Sequence, residues 1–113
     1  MRILYIDVKS DMQTCLMARA QLENEIDSCK LGGFTALKVI HGYGSHGVGG
    51  AIKKEIHVRL KQMKAQKLIR DYIPCETWTP SNPKREQAIK ICNELLADSD
   101  LYMLNSGVTI VLI

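Results

Sequence analysis

The sequence predicts a single α/β domain in which helices pack on a small β-sheet in two layers. Four short apolar segments have the length of strands, and three longer segments repeat apolar residues at helical spacing. The two kinds alternate in the order βαβαβαβ, with short links, which is typical of a two-layer α/β domain. At 113 residues the chain has room for one domain only, residues 1–113.

The chain is expected to begin with a strand and a long helix. Residues 3–6 form a short apolar run, which predicts a buried strand that ends near Asp7 or Val8. Ser10, with Gln13 three residues later, is typical of the capping box that begins a helix, and the glycine pair at 32–33 is expected to end it. The stripe expected to be buried along this helix is Met12, Cys15, Ala18, Leu22, Ile26 and Cys29.

A glycine-rich loop follows the second predicted strand, residues 36–40. The loop spans residues 41–50 and holds five of the eight glycines of the chain. The helix predicted after it carries two stripes about 100° apart, so one can pack on the sheet while the other meets a partner. The apolar stripe is Ile52, Ile56, Leu60 and Met63, and the basic stripe is Lys53, His57, Lys61 and Lys64.

The remaining elements are a strand, a helix and a final strand. Residues 68–73 predict the third strand, which Pro74 ends. Asn82 as N-cap and Pro83 in the first turn predict the start of the third helix. Its inward residues are expected to be Ala88, Ile91, Cys92 and Leu95. Residues 108–113 are a final apolar strand.

Composition argues against several classes of protein. No apolar run approaches the ~20 residues needed to cross a bilayer, and residues 1–11 lack the layout of a signal peptide. The four cysteines form no C-x-x-C pair, which argues against zinc knuckles and redox motifs. We therefore expect a cytoplasmic protein with reduced thiols and no membrane partner.

Positive charge is concentrated in one segment. Residues 53–70 contain seven cations against Glu55 alone, a charge of about +6 in a chain whose net charge is +3. The cations are Lys53, Lys54, Arg59, Lys61, Lys64, Lys67 and Arg70. A basic face on a near-neutral body is typical of a polyanion binder, and it is equally compatible with a solvated helix face.

Two polar residues are expected at one edge of the sheet. A right-handed crossover makes the first two strands parallel, so Asp7 and His41 both follow strands at their carboxyl ends, where ligands gather in such sheets. The glycine loop adds backbone N–H groups and leads into a helix N-terminus, which carries partial positive charge. The sequence therefore predicts an anion site at this edge.

Two known phosphate-binding motifs fit this loop poorly. Residues 42–47 match G-x-G-x-x-G, but a dinucleotide fold places that motif after its first strand and needs an acidic residue at the end of the next. The phosphate loop of nucleotide hydrolases needs Gly-Lys-Ser/Thr, whereas Ala51 follows Gly50. A small nucleotide-binding protein therefore remains an alternative, and the match of residues 42–47 to G-x-G-x-x-G is the one feature that favours it.

Three segments resemble the small MutS-related (Smr) domain family. Residues 37–44, LKVIHGYG, are similar to the H-G-x-G segment, in which a strand enters through V-x-I-I-H-G-x-G and leads into a helix. Residues 105–112, NSGVTIVL, resemble the closing G-x-T-x-V strand, and residues 6–9, IDVK, occupy the place of the L-D-x-H motif. The matches occur in the family's order and span nearly the whole chain.

The resemblance implies a fold and a function. Smr domains have a mixed sheet of βαβα-β-β type with two principal helices on one side, similar to the C-terminal domain of a bacterial translation initiation factor. Compared with that pattern, this sequence predicts one extra helix before the last strand. They bind DNA or RNA, and several are metal-assisted endonucleases. The sequence departs from the family at Lys9, which stands where the L-D-x-H motif has histidine. A lysine of ordinary pKa is a poor general base near neutral pH, so binding is better supported than cleavage.

The candidate site residues follow from this resemblance and from the sheet edge. The catalytic candidates are Asp7, Lys9 and His41, with Asp7 as the ligand of Mg²⁺ or another divalent metal. His41 could instead brace the loop by hydrogen bonding. The residues expected to contact phosphate or bases are Gly42, Tyr43, Gly44, Ser45, His46, Gly47, Lys53, Lys54, His57 and Lys61. The expected function is nucleic-acid binding with possible endonuclease activity, and the first alternative is a binding module without catalysis.

Overall fold

Four strands form one mixed sheet. The structure, a computed structural model, describes residues 3–7, 14–42 and 48–113. The strands lie side by side in the order β1-β2-β4-β3; β1 and β2 are parallel, and the other two pairs are antiparallel. Their bounds are β1 Ile3–Asp7, β2 Ala36–Ile40, β3 Asp71–Pro74 and β4 Val108–Leu112. The mixed α/β sheet predicted from the sequence is confirmed.

The first helix, α1 (Cys15–Gly32), begins later than the sequence predicts. Ser10 and Gln13, the expected capping box, lie outside the described residues. Thr14 has extended backbone and its hydroxyl accepts a hydrogen bond from the N–H of Met17, so it is the N-cap. The predicted end is confirmed, because Gly33 has φ 74° and donates its N–H to the carbonyl of Cys29.

The second helix, α2 (Val48–Ala65), begins earlier than predicted. The expected loop extends through Gly50, but Gly49 and Gly50 lie in the first helical turn, where their weak helix propensity costs least. The four residues of the predicted apolar stripe, Ile52, Ile56, Leu60 and Met63, are all buried.

The third strand is shorter than predicted and begins at Asp71 rather than Leu68. Lys67 has φ 61°, and the N–H groups of Lys67 and Leu68 donate to the carbonyls of Lys64 and Met63. These bonds tie residues 67–68 to the end of α2, so they cannot pair in the sheet.

Helical segments on the second face of the sheet make the domain three layers thick, not two as predicted. They are α3 (Pro83–Ile91), α4 (Ser99–Tyr102) and two short 3-10 helices, Cys75–Thr77 and Asn93–Ala97. The predicted Asn82 cap of α3 is confirmed, since its side chain accepts from the N–H of Lys84.

Two separate apolar clusters show how the layers pack. One joins α1 and α2 to residues such as Leu37, Val39 and Val111, and the other joins α3, α4 and the 3-10 helices to residues such as Ala36 and Ile110. All five residues of β4 are buried, so this strand needs cover on both faces. The third predicted helix is therefore part of a core layer.

Lys38 connects the sheet to α4. Its ammonium group donates to Asp98 and to Asp100, at 2.9 and 2.6 Å from their carboxylate oxygens, in a cluster that is largely buried. Asp98 also caps α4 by accepting from the N–H groups of Asp100 and Leu101. Within the described ranges, no helix is both long and apolar enough to cross a membrane.

Candidate functional site

The predicted sheet edge brings the first two strands together at their carboxyl ends. In the parallel pair, the Cα of Asp7 lies opposite that of Ile40, and His41 follows directly. The backbone positions of Asp7 and His41 are therefore neighbours, as expected. The Asp7 side chain, Lys9 and residues 43–47, which include Tyr43, Gly44, Ser45, His46 and Gly47, lie outside the description.

His41 is completely buried and both of its ring nitrogens are engaged. Nδ1 lies 2.7 Å from the carbonyl oxygen of Gly42, and Nε2 lies 2.8 Å from Oγ1 of Thr109. A carbonyl can only accept, so Nδ1 carries the hydrogen. Burial lowers the pKa of His41 to about 4, so the ring is neutral near pH 7 and its Nε2 accepts from the Thr109 hydroxyl.

His57 of α2 completes this network from the other side. Its Nε2 lies 2.8 Å from the same Thr109 oxygen, and its ring stands perpendicular to that of His41 with centroids 5.4 Å apart. Thr109 has one hydroxyl hydrogen and gives it to His41, so His57 must donate from Nε2. Burial and the charge of Lys53 lower the pKa of His57. Its Nδ1 then carries a lone pair, and no described residue donates a hydrogen bond to it.

The backbone N–H groups at the start of the glycine loop are also used internally. Those of His41 and Gly42 donate to the carbonyl of Gly107, at 2.9 and 3.0 Å. Gly42 has φ 72°, a conformation that favours glycine. These two positions therefore anchor the start of the loop to the turn before β4.

A cleft between α2 and β3 lies beside the network. Its volume is about 420 Å³, and His57 forms part of its wall. The other lining residues are Gly50, Lys53, Lys54, Val58, Lys61 and Tyr72. All four helix residues expected to contact phosphate (Lys53, Lys54, His57 and Lys61) thus line one cleft.

The cations of this cleft differ in how strongly they are engaged. Lys53 is 20% exposed and pairs with Glu76, and it also donates to the carbonyl oxygen of Ser106 at 2.8 Å. Lys54 and Lys61 are exposed and have no acidic or hydrogen-bonding partner among the described residues. Lys54 and Lys61 are therefore the cations available to a ligand.

Much of the positive charge predicted for residues 53–70 is compensated inside the domain. Arg59 pairs with Glu23 at 2.6 Å, and Lys64 pairs with Asp71 at 3.0 Å. With the Lys53 pair, three of the seven cations meet a carboxylate. The sequence count could not show this, because the acids lie on other elements.

Sequence reasoning missed the residues that position the two histidines. Thr109 links them, and Glu76 and Ser106 hold Lys53 in place. A signal existed at Thr109, which is the single polar residue of the apolar strand β4 and the threonine of the G-x-T-x-V segment. A buried hydroxyl in such a strand requires a partner.

The described residues do not suit a metal ion. Within residues 14–42 and 50–113, no three His, Cys, Asp or Glu side chains lie close enough to hold one. His41 could become a ligand only by giving up a hydrogen bond, since both of its nitrogens are engaged. The metal expected at Asp7 falls on a side chain outside this description.

Comparison with known proteins gives two matches. The family model of the Smr domain matches residues 11–77, over half of the chain. The crystal structure of the Smr domain of Thermus thermophilus MutS2 is similar with a TM-score of 0.57 and 16% sequence identity, over 96% of this chain and 95% of that one. At this identity the similarity concerns the fold alone. Among curated proteins, none matches the sequence.

Proposed function

This chain belongs to the Smr domain family, and on that basis we propose that it binds nucleic acid through phosphates seated in the cleft between α2 and β3. One observation carries the proposal: Lys54 and Lys61, exposed and without partners among the described residues, line the same cleft. Phosphate contacts of this kind supply affinity without reading sequence.

The wall of the cleft is held in place beside these two lysines. Lys53, whose charge is compensated by Glu76, is fixed by Glu76 and Ser106 and forms an ordered part of the wall. His57 is held by Thr109, and the aromatic ring of Tyr72 closes the opposite side. We expect binding that is electrostatic and largely independent of sequence.

The test compares two double variants in a binding titration against single- and double-stranded DNA and RNA. Lys54→Glu with Lys61→Glu should weaken binding at least about tenfold for every sequence and lower the salt slope by about 2. Arg85→Glu with Lys90→Glu changes the net charge equally on α3, across the sheet, and should have a much smaller effect.

Several results would contradict this function. Salt-insensitive binding would exclude phosphate contacts as the source of affinity, and equal losses in the two double variants would exclude this cleft. Saturable binding of a mononucleotide without affinity for oligonucleotides would select the nucleotide-binding alternative.

A second candidate function is phosphodiester cleavage, favoured by the position of Asp7 beside His41 at the sheet edge. If Asp7 is required, Asp7→Asn should abolish cleavage and leave binding intact, because it keeps the side chain's size and removes its charge. Lys9→His, which restores the family pattern, should raise cleavage. Labelled substrates are incubated with Mg²⁺ or EDTA. If neither the wild type nor Lys9→His cleaves, the protein is a binding module.

A further inference from the structure

A second cleft lies at the far end of α2. Its volume is about 650 Å³, larger than that of the first cleft, and it is formed by the last turns of α1 and α2, the residues that lead into β3, and one residue of α3. The lining of this cleft includes polar side chains and the residue that follows β4: Lys30, Lys64, Lys67, Arg70, Gln87 and Ile113. Four of these six residues are cations.

A smaller share of these cations is neutralised by a described side-chain carboxylate than in the first cleft, where one of the three lysines is paired. Lys30 and Lys67 are exposed, and neither has an acidic or hydrogen-bonding partner among the described residues. Arg70 donates its Nε hydrogen to the main-chain oxygen of Ile113, at 3.0 Å. Among the described side-chain carboxylates, that of Asp71 pairs with Lys64, and none pairs with the other three cations.

Positive charge continues between the two clefts. Asp71 is shared by Lys64 and Lys84, at 3.0 and 3.1 Å from the same oxygen, so this group keeps an excess of one positive charge. Lys84 also lies 5.6 Å from the ring centre of Tyr72, which lines the first cleft. A basic surface therefore follows α2 from one cleft to the other.

We propose that the second cleft is a further phosphate-binding subsite, and that one nucleic-acid strand lies along α2 and occupies both clefts. This inference rests on the proposed function. Lys54 and Ala65, the last residue of α2, are 11 positions apart, about 16 Å at the rise of an α-helix, and Lys67 lies just beyond. Each strand of a duplex carries one phosphate per 3.4 Å, so the site spans at least about five base pairs.

The experiment measures affinity against ligand length. The ligands are single- or double-stranded, whichever form binds the wild type best. Their lengths are about 4, 8 and 12 nucleotides or base pairs, so that they are shorter and longer than the distance between the two clefts. Affinity should rise at least about tenfold from the shortest to the middle length and then change little. Lys30→Glu with Lys67→Glu should remove that rise and leave binding of the shortest ligand unchanged.

The controls separate this inference from the proposed function. Lys30 and Lys67 make no hydrogen bond through their side chains to described residues, so the variant should keep its circular dichroism spectrum and its midpoint of urea unfolding. Arg85→Glu with Lys90→Glu, of equal charge, should keep the rise with length. If the shortest ligand binds and length adds nothing, or the variant keeps the full rise, the second subsite is wrong while the first cleft stands. If no length binds, the proposed function itself fails.

Discussion

Buried Thr109 and half-buried Thr35 should respond in opposite ways to the same substitution. The hydroxyl of Thr109 donates to His41 and accepts from His57, whereas Oγ1 of Thr35 is buried without a hydrogen-bond partner in the described part of the chain. Valine has nearly the shape of threonine, so Thr109→Val and Thr35→Val each remove a hydroxyl with little change in packing volume.

The expected magnitudes follow from what each hydroxyl leaves behind. Without Thr109, the Nε2 of fully buried His41 loses its donor, at a cost of about 2 kcal/mol. His57 is half-buried and lines the open cleft, so the loss of its bond to Thr109 adds about 1 kcal/mol. Thr35→Val relieves an unsatisfied group and should stabilise the fold by up to about 1 kcal/mol.

Urea unfolding followed by circular dichroism measures both free energies of unfolding. Thr109→Val should lower that free energy by about 3 kcal/mol, and Thr35→Val should leave it unchanged or raise it. The slope of the free energy against urea concentration should stay constant in both variants, because the surface exposed on unfolding is the same. Equal losses in the two variants would refute the hydrogen-bond network deduced around His41.

Two other properties follow from burial. The pKa of His41 is about 4 in the fold but about 6.5 when unfolded, so the unfolded chain binds protons first as pH falls. The free energy of unfolding should be constant above about pH 6.5 and fall by up to about 3 kcal/mol towards pH 4. If urea titrations give the same free energy of unfolding at every pH, the neutral state of the His41 ring is contradicted. Burial also raises the pKa of Cys29 to about 11 and that of Cys75 to about 12. A thiol reagent at about pH 8 should therefore modify half-buried Cys15 first, as mass spectrometry would show, and early labelling of Cys75 would disprove this order.

The sequence predicted the helices and strands better than the way in which they pack on one another. Helical spacing identified the buried stripe of α2, and the short apolar run at Ala36–Ile40 gave β2 with its observed bounds. Periodicity shows which side of an element is buried, but not what covers it. The second apolar layer was therefore missed as a layer, although α3 itself was predicted with its cap at Asn82.

The site was predicted in part for the same reason. His41 and the basic residues of α2 were recognised from local patterns, and the structure brings Lys53, Lys54, His57 and Lys61 to one cleft. Their partners are far away in sequence: Thr109 lies 68 residues from His41 and 52 from His57. The sheet register and the packing of α2 on the sheet set such pairs, and local patterns show neither.

The position of β4 has a consequence for how the domain is made. It is the last strand in chain order, yet it occupies an interior place in the sheet and separates β2 from β3. On a ribosome, β1, β2 and the two long helices emerge first, and β3 has no neighbour to pair with until residues 108–112 arrive. The pairs that β4 makes with β2 and β3 therefore form late in synthesis, and the sheet cannot be completed before residues 108–112 are available.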